Sequence, residues 1–69
     1  MQLSARNVLP GKIVKLVHGP VTTEVTLEIA PGVHVVGTIT SESARSLELA
    51  EGGRAYGVIK ASSVMIGTD

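Results

Sequence analysis

Two short segments near opposite ends of the sequence hold the groups best suited to chemistry. Ser4-Ala5-Arg6-Asn7 sets a hydroxyl and a guanidinium two residues apart, and Lys60-Ala61-Ser62-Ser63 does the same with an ammonium and a hydroxyl. In an extended chain, side chains alternate between faces, so Ser4 projects with Arg6 and Lys60 with Ser62. Arginine offers a planar fork of five donors and lysine a compact point charge, and neither accepts a hydrogen bond. Cations interleaved with hydroxyls in this way make a site for a small anion. Taken singly, Arg6 and Lys60 read as solvated surface residues; their joint occurrence with hydroxyls on the same face is what points to a ligand.

Little else in the chain competes for a chemical role. The absence of cysteine removes disulfides, thiolate chemistry and zinc-thiolate sites, and fits a reducing compartment. His18 reads as a turn residue and His34 as an exposed strand residue, with no third ligand at a metal-like spacing, so no metal site is expected. Glu24 and Glu28 lie about 13 Å apart on an extended strand, too far for a paired acid and base. No nucleophile has an adjacent base, and no phosphate-binding glycine fingerprint is present, so the expectation is a protein that binds rather than catalyses. Lys plus Arg and Asp plus Glu number six each, for a net charge of zero, and the only aromatic residue is Tyr56. That composition argues against nucleic acid, which needs stacking platforms and a positive groove, and against anionic membranes. Neither a basic segment followed by an apolar run nor an apolar run of about 18 residues occurs, so a cytoplasmic protein with no membrane partner is expected.

The elements that must position the two segments follow from periodicity. Met1 to Leu9 reads as a first strand, Pro10-Gly11 as a break or bulge, and Lys12 to Val17 as a strand. His18-Gly19-Pro20 is a turn. Val21 to Ala30 alternates strictly, with Val21, Thr23, Val25, Leu27 and Ile29 on one face and Thr22, Glu24, Thr26 and Glu28 on the other. Pro31-Gly32 turns the chain into a returning strand, Val33 to Thr40, with Val33, Val35 and Ile39 on one face. Thr40 or Ser41 can cap a short helix ending at Leu47, on which Ala44 and Leu47 share a face. Glu51-Gly52-Gly53 is a turn, Arg54 to Lys60 a strand with Tyr56 packing, and Ser62 to Ile66 a last short strand.

This order predicts one all-β domain over residues 1–69. A small OB-like five-stranded barrel with one short helix fits, and an SH3-like barrel is the alternative. Such a domain of 69 residues, with no Phe or Trp and no disulfide, cannot build much of a core, so a homo-oligomer is expected.

Three segments in order, Ser4-Ala5-Arg6-Asn7, Thr40-Ser41-Glu42-Ser43 before the short helix, and Ile59-Lys60-Ala61-Ser62, closely resemble the molbindins. These Mop proteins of the Mop/TOBE type are small stand-alone molybdate-binding proteins, and the same unit occurs in molybdate-responsive regulators and transporter ATPases. The resemblance spans essentially the whole chain. It implies an OB-like hexamer, a trimer of dimers, that holds molybdate or tungstate at subunit interfaces for molybdenum storage or homeostasis, with no organic cofactor. It further implies an oxyanion-binding set of Ser4, Arg6, Thr40, Ser43, Lys60, the Ala61 amide and Ser62. A second class of site near the three-fold axis maps to His18, Gly19, Pro20, Val21 and Thr22.

The ligand chemistry agrees with that implication. Molybdate is a tetrahedral dianion that only accepts hydrogen bonds at neutral pH. Arg6 and Lys60 match its two charges, and four hydroxyls can each donate once. Hydrogen bonds to a charged partner contribute roughly 1.5–3 kcal/mol each. Four or five of them, less the ordering cost, reach about micromolar affinity or tighter.

Overall fold

The computed structural model describes Ser4 and residues 6–69. The elements are β1 (Asn7–His18), β2 (Thr22–Ala30), β3 (Val33–Thr40), α1 (Ser41–Ser46) and β4 (Arg54–Ile59), followed by a 3-10 turn, Ala61–Ser63. The strands form one antiparallel sheet in the order β3-β2-β1-β4. The described residues are therefore all-β with one short helix, as expected, but they form four strands rather than five.

The differences lie at the two ends of the chain. The expected strand over Met1 to Leu9 falls partly outside the described residues, and what is described runs straight through Pro10-Gly11 into a single 12-residue β1. Pro10 is tolerated because it lies outside the β1–β2 ladder, which begins at Lys12↔Glu28. Gly11 is a close-approach glycine. A Cβ there would sit 2.9 Å from the Glu28 carbonyl oxygen and 3.2 Å from Ile29 Cγ2. The bulge in β1 falls instead at Val14, where pairing steps from Ile13↔Leu27 to Lys15↔Thr26. The final strand expected over Ser62 to Ile66 does not form. Its first residues enter the 3-10 turn, and Met65 and Ile66 are 92% and 87% exposed.

The clearest sequence pattern is fully realised in β2. Thr23, Val25 and Leu27 are buried on the inner face, while Thr22 and Glu24 are exposed on the outer one. Ile13 joins Val25 and Leu27 in the core, with Leu16, Ile29, Ile39, Leu49 and Ala55 packed around them. The Glu51-Gly53 turn docks onto β1 beside the bulge: Ile13 N–H donates to Gly53 O (2.8 Å), Gly52 N–H to Ile13 O (2.7 Å) and Leu16 N–H to Glu51 Oε2 (3.1 Å).

Helix α1 starts at Thr40, whose side chain accepts from Ser43 N–H. It ends at Leu47 with Glu48 in the left-handed region (φ 54°), Glu48 N–H donating to Arg45 O and Leu49 N–H to Ala44 O. That is a Schellman ending, at a position where glycine is usual. Ala44 is buried, whereas Leu47 is 67% exposed, so the shared helix face is only half covered.

The chain exposes 5394 Å², against about 4,100 Å² for a compact monomer of its mass. An open apolar cleft of about 870 Å³ lies between β3 and β4, bordered by Val35, Ile39, Leu47, Tyr56 and Val58.

Candidate functional site

The β1–β4 ladder brings the two cationic segments together. Its last pair is Asn7↔Ile59, closed by Asn7 Nδ2 donating to Ile59 O at 3.3 Å. Arg6 and Lys60 are the next residues outward from this pair on their two chains, and Ser4 and Ser62 lie two residues further out, Ser62 within the 3-10 turn. Ser4, Arg6, Lys60, Ala61 and Ser62 are all exposed. Lys60 caps the 3-10 turn in an extended conformation, and Ala61 and Ser62 form its first two residues. Two like charges side by side repel each other unless something between them is negative. Among the described residues the only basic side chain within 4 Å of a carboxylate is His34, whose Nε2 lies 3.4 Å from Glu28 Oε2, so no carboxylate engages Arg6 or Lys60.

The middle hydroxyls lie elsewhere. Thr40 pairs with Thr22 at the end of the β2–β3 ladder, and Thr23 pairs with His18 at the far end of β1. The seven expected ligands therefore divide into two groups, one beyond Asn7 and one beyond His18. These are opposite ends of a strand whose contour is about 36 Å. Within the second group Thr40 Oγ1 accepts from Ser43 N–H (3.0 Å) and donates to Ser43 Oγ (2.7 Å), leaving the Ser43 hydroxyl hydrogen free for a ligand. Thr40 acts as the helix cap and orients Ser43.

The positions mapped to a second class of site, His18 to Thr22, form the β1–β2 turn beside this group. Gly19 N–H is already donated to Thr22 O (2.9 Å) and Pro20 has no N–H, so neither offers an amide to a ligand. A Cβ on Gly19 would meet Thr22 O at 2.6 Å, which keeps the turn tight. Sequence reasoning missed two residues here, Thr23 and Ser41. They are 0% and 4% exposed, and their hydroxyl oxygens are 2.8 Å apart. The signal was present: Thr23 is the one polar residue on the apolar face of β2.

Comparison with known proteins bears on the family and the fold. Residues 3–66 match the family model of the TOBE domain. The chain belongs to the TOBE-domain family. This TOBE chain is 46% identical over 66 residues to molybdenum-pterin-binding protein 1 of Clostridium pasteurianum, covering 96% of this chain and 97% of that one. Its fold matches MopII from the same organism, in an apo form, with a TM-score of 0.89 at 43% identity over 97% of this chain and 100% of that one. It also matches the cytoplasmic molybdate-binding protein ModG with molybdate bound, with a TM-score of 0.83 at 43% identity over 88% of this chain and 43% of that one.

Proposed function

We propose that this chain is a single oxyanion-binding domain that takes up molybdate or tungstate at interfaces between its own copies and performs no chemistry on it. The observation that supports this reading is the β1–β4 register, which ends at Asn7↔Ile59 and so brings the Arg6 and Lys60 segments to one end of the sheet, with no carboxylate engaging either among the described residues. A tetrahedral dianion is the natural counter-charge for that arrangement. The names of its relatives, which are binding proteins for molybdate or molybdenum–pterin, support the same ligand class.

The ligands are Ser4, Arg6, Lys60, the Ala61 amide and Ser62 from one copy, with Ser43, oriented by Thr40, from another. This division follows from the two groups lying at opposite ends of β1. The excess exposed surface of about 1,300 Å² exceeds the roughly 800 Å² that each partner buries in a standard interface, which supports assembly. Residues 64–66 follow the 3-10 turn, with Val64 already extended, and supply the fifth strand of the barrel once copies assemble. The assembly is a hexamer built as a trimer of dimers, working in the cytoplasm as a store or buffer.

Titration calorimetry with molybdate, repeated in excess sulfate, tests the reading. Uptake that survives sulfate is expected, at one or more anions per chain. No heat, or uptake erased by sulfate, refutes a selective store. A molybdenum–pterin compound in place of the free oxyanion separates the two ligands that the relatives' names contain.

A further inference from the structure

We propose that Lys12, Arg54 and Tyr56 form a further ligand site, on the outer face of the sheet, for a flat aromatic ring tethered to a phosphate, the chemistry of a nucleoside monophosphate. It lies apart from the oxyanion ligands proposed above and uses none of them.

The β1–β4 ladder builds the site. Lys12 pairs directly with Arg54, and two residues along the same strands Pro10 pairs with Tyr56. Paired residues share a face of the sheet, as do residues two apart on one strand, so all four side chains stand on one side of the ribbon. Gly11 and Ile13, the neighbours of Lys12, are buried on the other side, which makes this the outer face. Lys12, Arg54 and Pro10 are exposed, and Tyr56 is 60% exposed. Lys12 stands about 17 Å along β1 from Asn7, where the Arg6 and Lys60 group begins, so one small ligand does not span both.

The charges across this row are unbalanced. The row continues from Lys12 to Glu28 on β2 and from Glu28 to His34 on β3. Glu28 Oε2 lies 3.4 Å from His34 Nε2, and among the described residues no carboxylate lies within 4 Å of Lys12 or Arg54. Cations directly opposite each other on a ladder repel. β4 is the edge strand, so the far flank of Arg54 has no neighbouring strand among the described residues. A dianion seated over this pair relieves the repulsion, with the arginine fork gripping two oxygens and the lysine acting as a point charge.

Tyr56 sets the rest of the ligand. It is the chain's single aromatic residue, and its ring lies on the sheet surface rather than in the core. Its row stands about 7 Å from the cation pair, so a ring stacked on Tyr56 reaches the phosphate through a short spacer. A bare oxyanion uses the cations alone. A nucleic-acid strand needs a series of stacking platforms, and this face has one. One ring and one phosphate match the three side chains.

The test titrates the assembled protein with adenosine 5′-monophosphate, adenosine and inorganic phosphate, following the Tyr56 ring protons by NMR. These are the protein's only tyrosine signals, so a shift locates the ring without further assignment. The nucleotide is expected to shift them and to bind about ten-fold more tightly than either fragment. Arg54→Gln should weaken the nucleotide by about ten-fold, and Tyr56→Leu should reduce it to the affinity of inorganic phosphate. Neither variant should alter molybdate uptake in calorimetry. Tyr56 signals that the nucleotide does not move, as when another copy covers this face, would overturn the site. Equal affinity for nucleotide and inorganic phosphate would overturn the role of the ring, and wild-type nucleotide affinity in Arg54→Gln that of the cation pair. Should a variant fail to fold, the three wild-type titrations still decide.

Discussion

The division of the ligands between two ends of β1 makes a prediction that a one-copy site cannot satisfy. Arg6→Ala removes the guanidinium from one group and Ser43→Ala the free hydroxyl from the other. Each loses a charge-assisted bond of roughly 1.5–3 kcal/mol, which is a ten- to hundred-fold weakening of molybdate. The two variants fail for different reasons. In a pair of copies related by a two-fold axis, each site takes Arg6 from one copy and Ser43 from its neighbour. When the variants are unfolded together and refolded in equal amounts, half of the pairs are mixed. One of the two sites in each mixed pair then has both groups intact. About one quarter of the sites should therefore recover wild-type affinity, although neither parent protein has any. The assay is calorimetric titration of the refolded mixture, with each variant refolded alone as control. The tight fraction should appear only in the mixture. A mixture that binds no better than its parents, while exchange of copies is verified by mass spectrometry of labelled chains, would refute the composite site and require all ligands to converge within one copy.

Further outcomes follow from particular contacts. Gly11→Ala should destabilise the protein by about 1–3 kcal/mol in urea titration, because its Cβ would press on the Glu28 carbonyl at 2.9 Å and backbone cannot give way as a side-chain tip can. Glu48→Gly should stabilise it by about 1 kcal/mol, read as a raised melting temperature, by relieving a left-handed backbone at the end of α1. Thr40→Ala should cost about 1 kcal/mol through loss of the helix cap, and should weaken molybdate less than Ser43→Ala does, since Thr40 orients the donor rather than supplying it. Asp at both Met65 and Ile66 should leave smaller species in sedimentation velocity, because these exposed side chains have no partner within the described residues of one copy.

Much of this fold could be read from period-two alternation, because β2 is flanked on both sides and one of its faces is buried. The returning strand β3, the short helix and the three glycine turns were legible for the same local reasons. What was not legible depended on neighbours distant in sequence. Pro10-Gly11 has the composition of a break, yet the chain runs through it. Proline there precedes the first β1–β2 pair, and glycine there admits the Glu28 carbonyl. Both facts belong to the β1–β2 register, which no local window contains. The last strand failed for the complementary reason. Val64-Met65-Ile66 has apolar strand-forming residues but joins no ladder within the described residues, and a strand without a ladder is not stable in water.

The site shows the same boundary between local and long-range information. That Arg6 and Lys60 share a patch follows from one ladder, since positions 7 and 59 pair and the antiparallel register carries the neighbours along. Sequence spacing could identify the groups but not their distance from Thr40 and Ser43, which topology places at the other end of β1. Thr23 illustrates how such information is encoded. A polar residue on an otherwise apolar face looks like noise in a hydrophobic pattern, because its cost is visible locally while its compensation is not. The compensation is Ser41, 18 residues on, and the Gly19 carbonyl beyond it. A buried hydroxyl is tolerated only where its partner is fixed, so its presence on an apolar strand is evidence that something must be held in register. In this chain the thing held is the corner where the turn meets the helix, next to the Ser43 hydroxyl whose hydrogen is free for an anion.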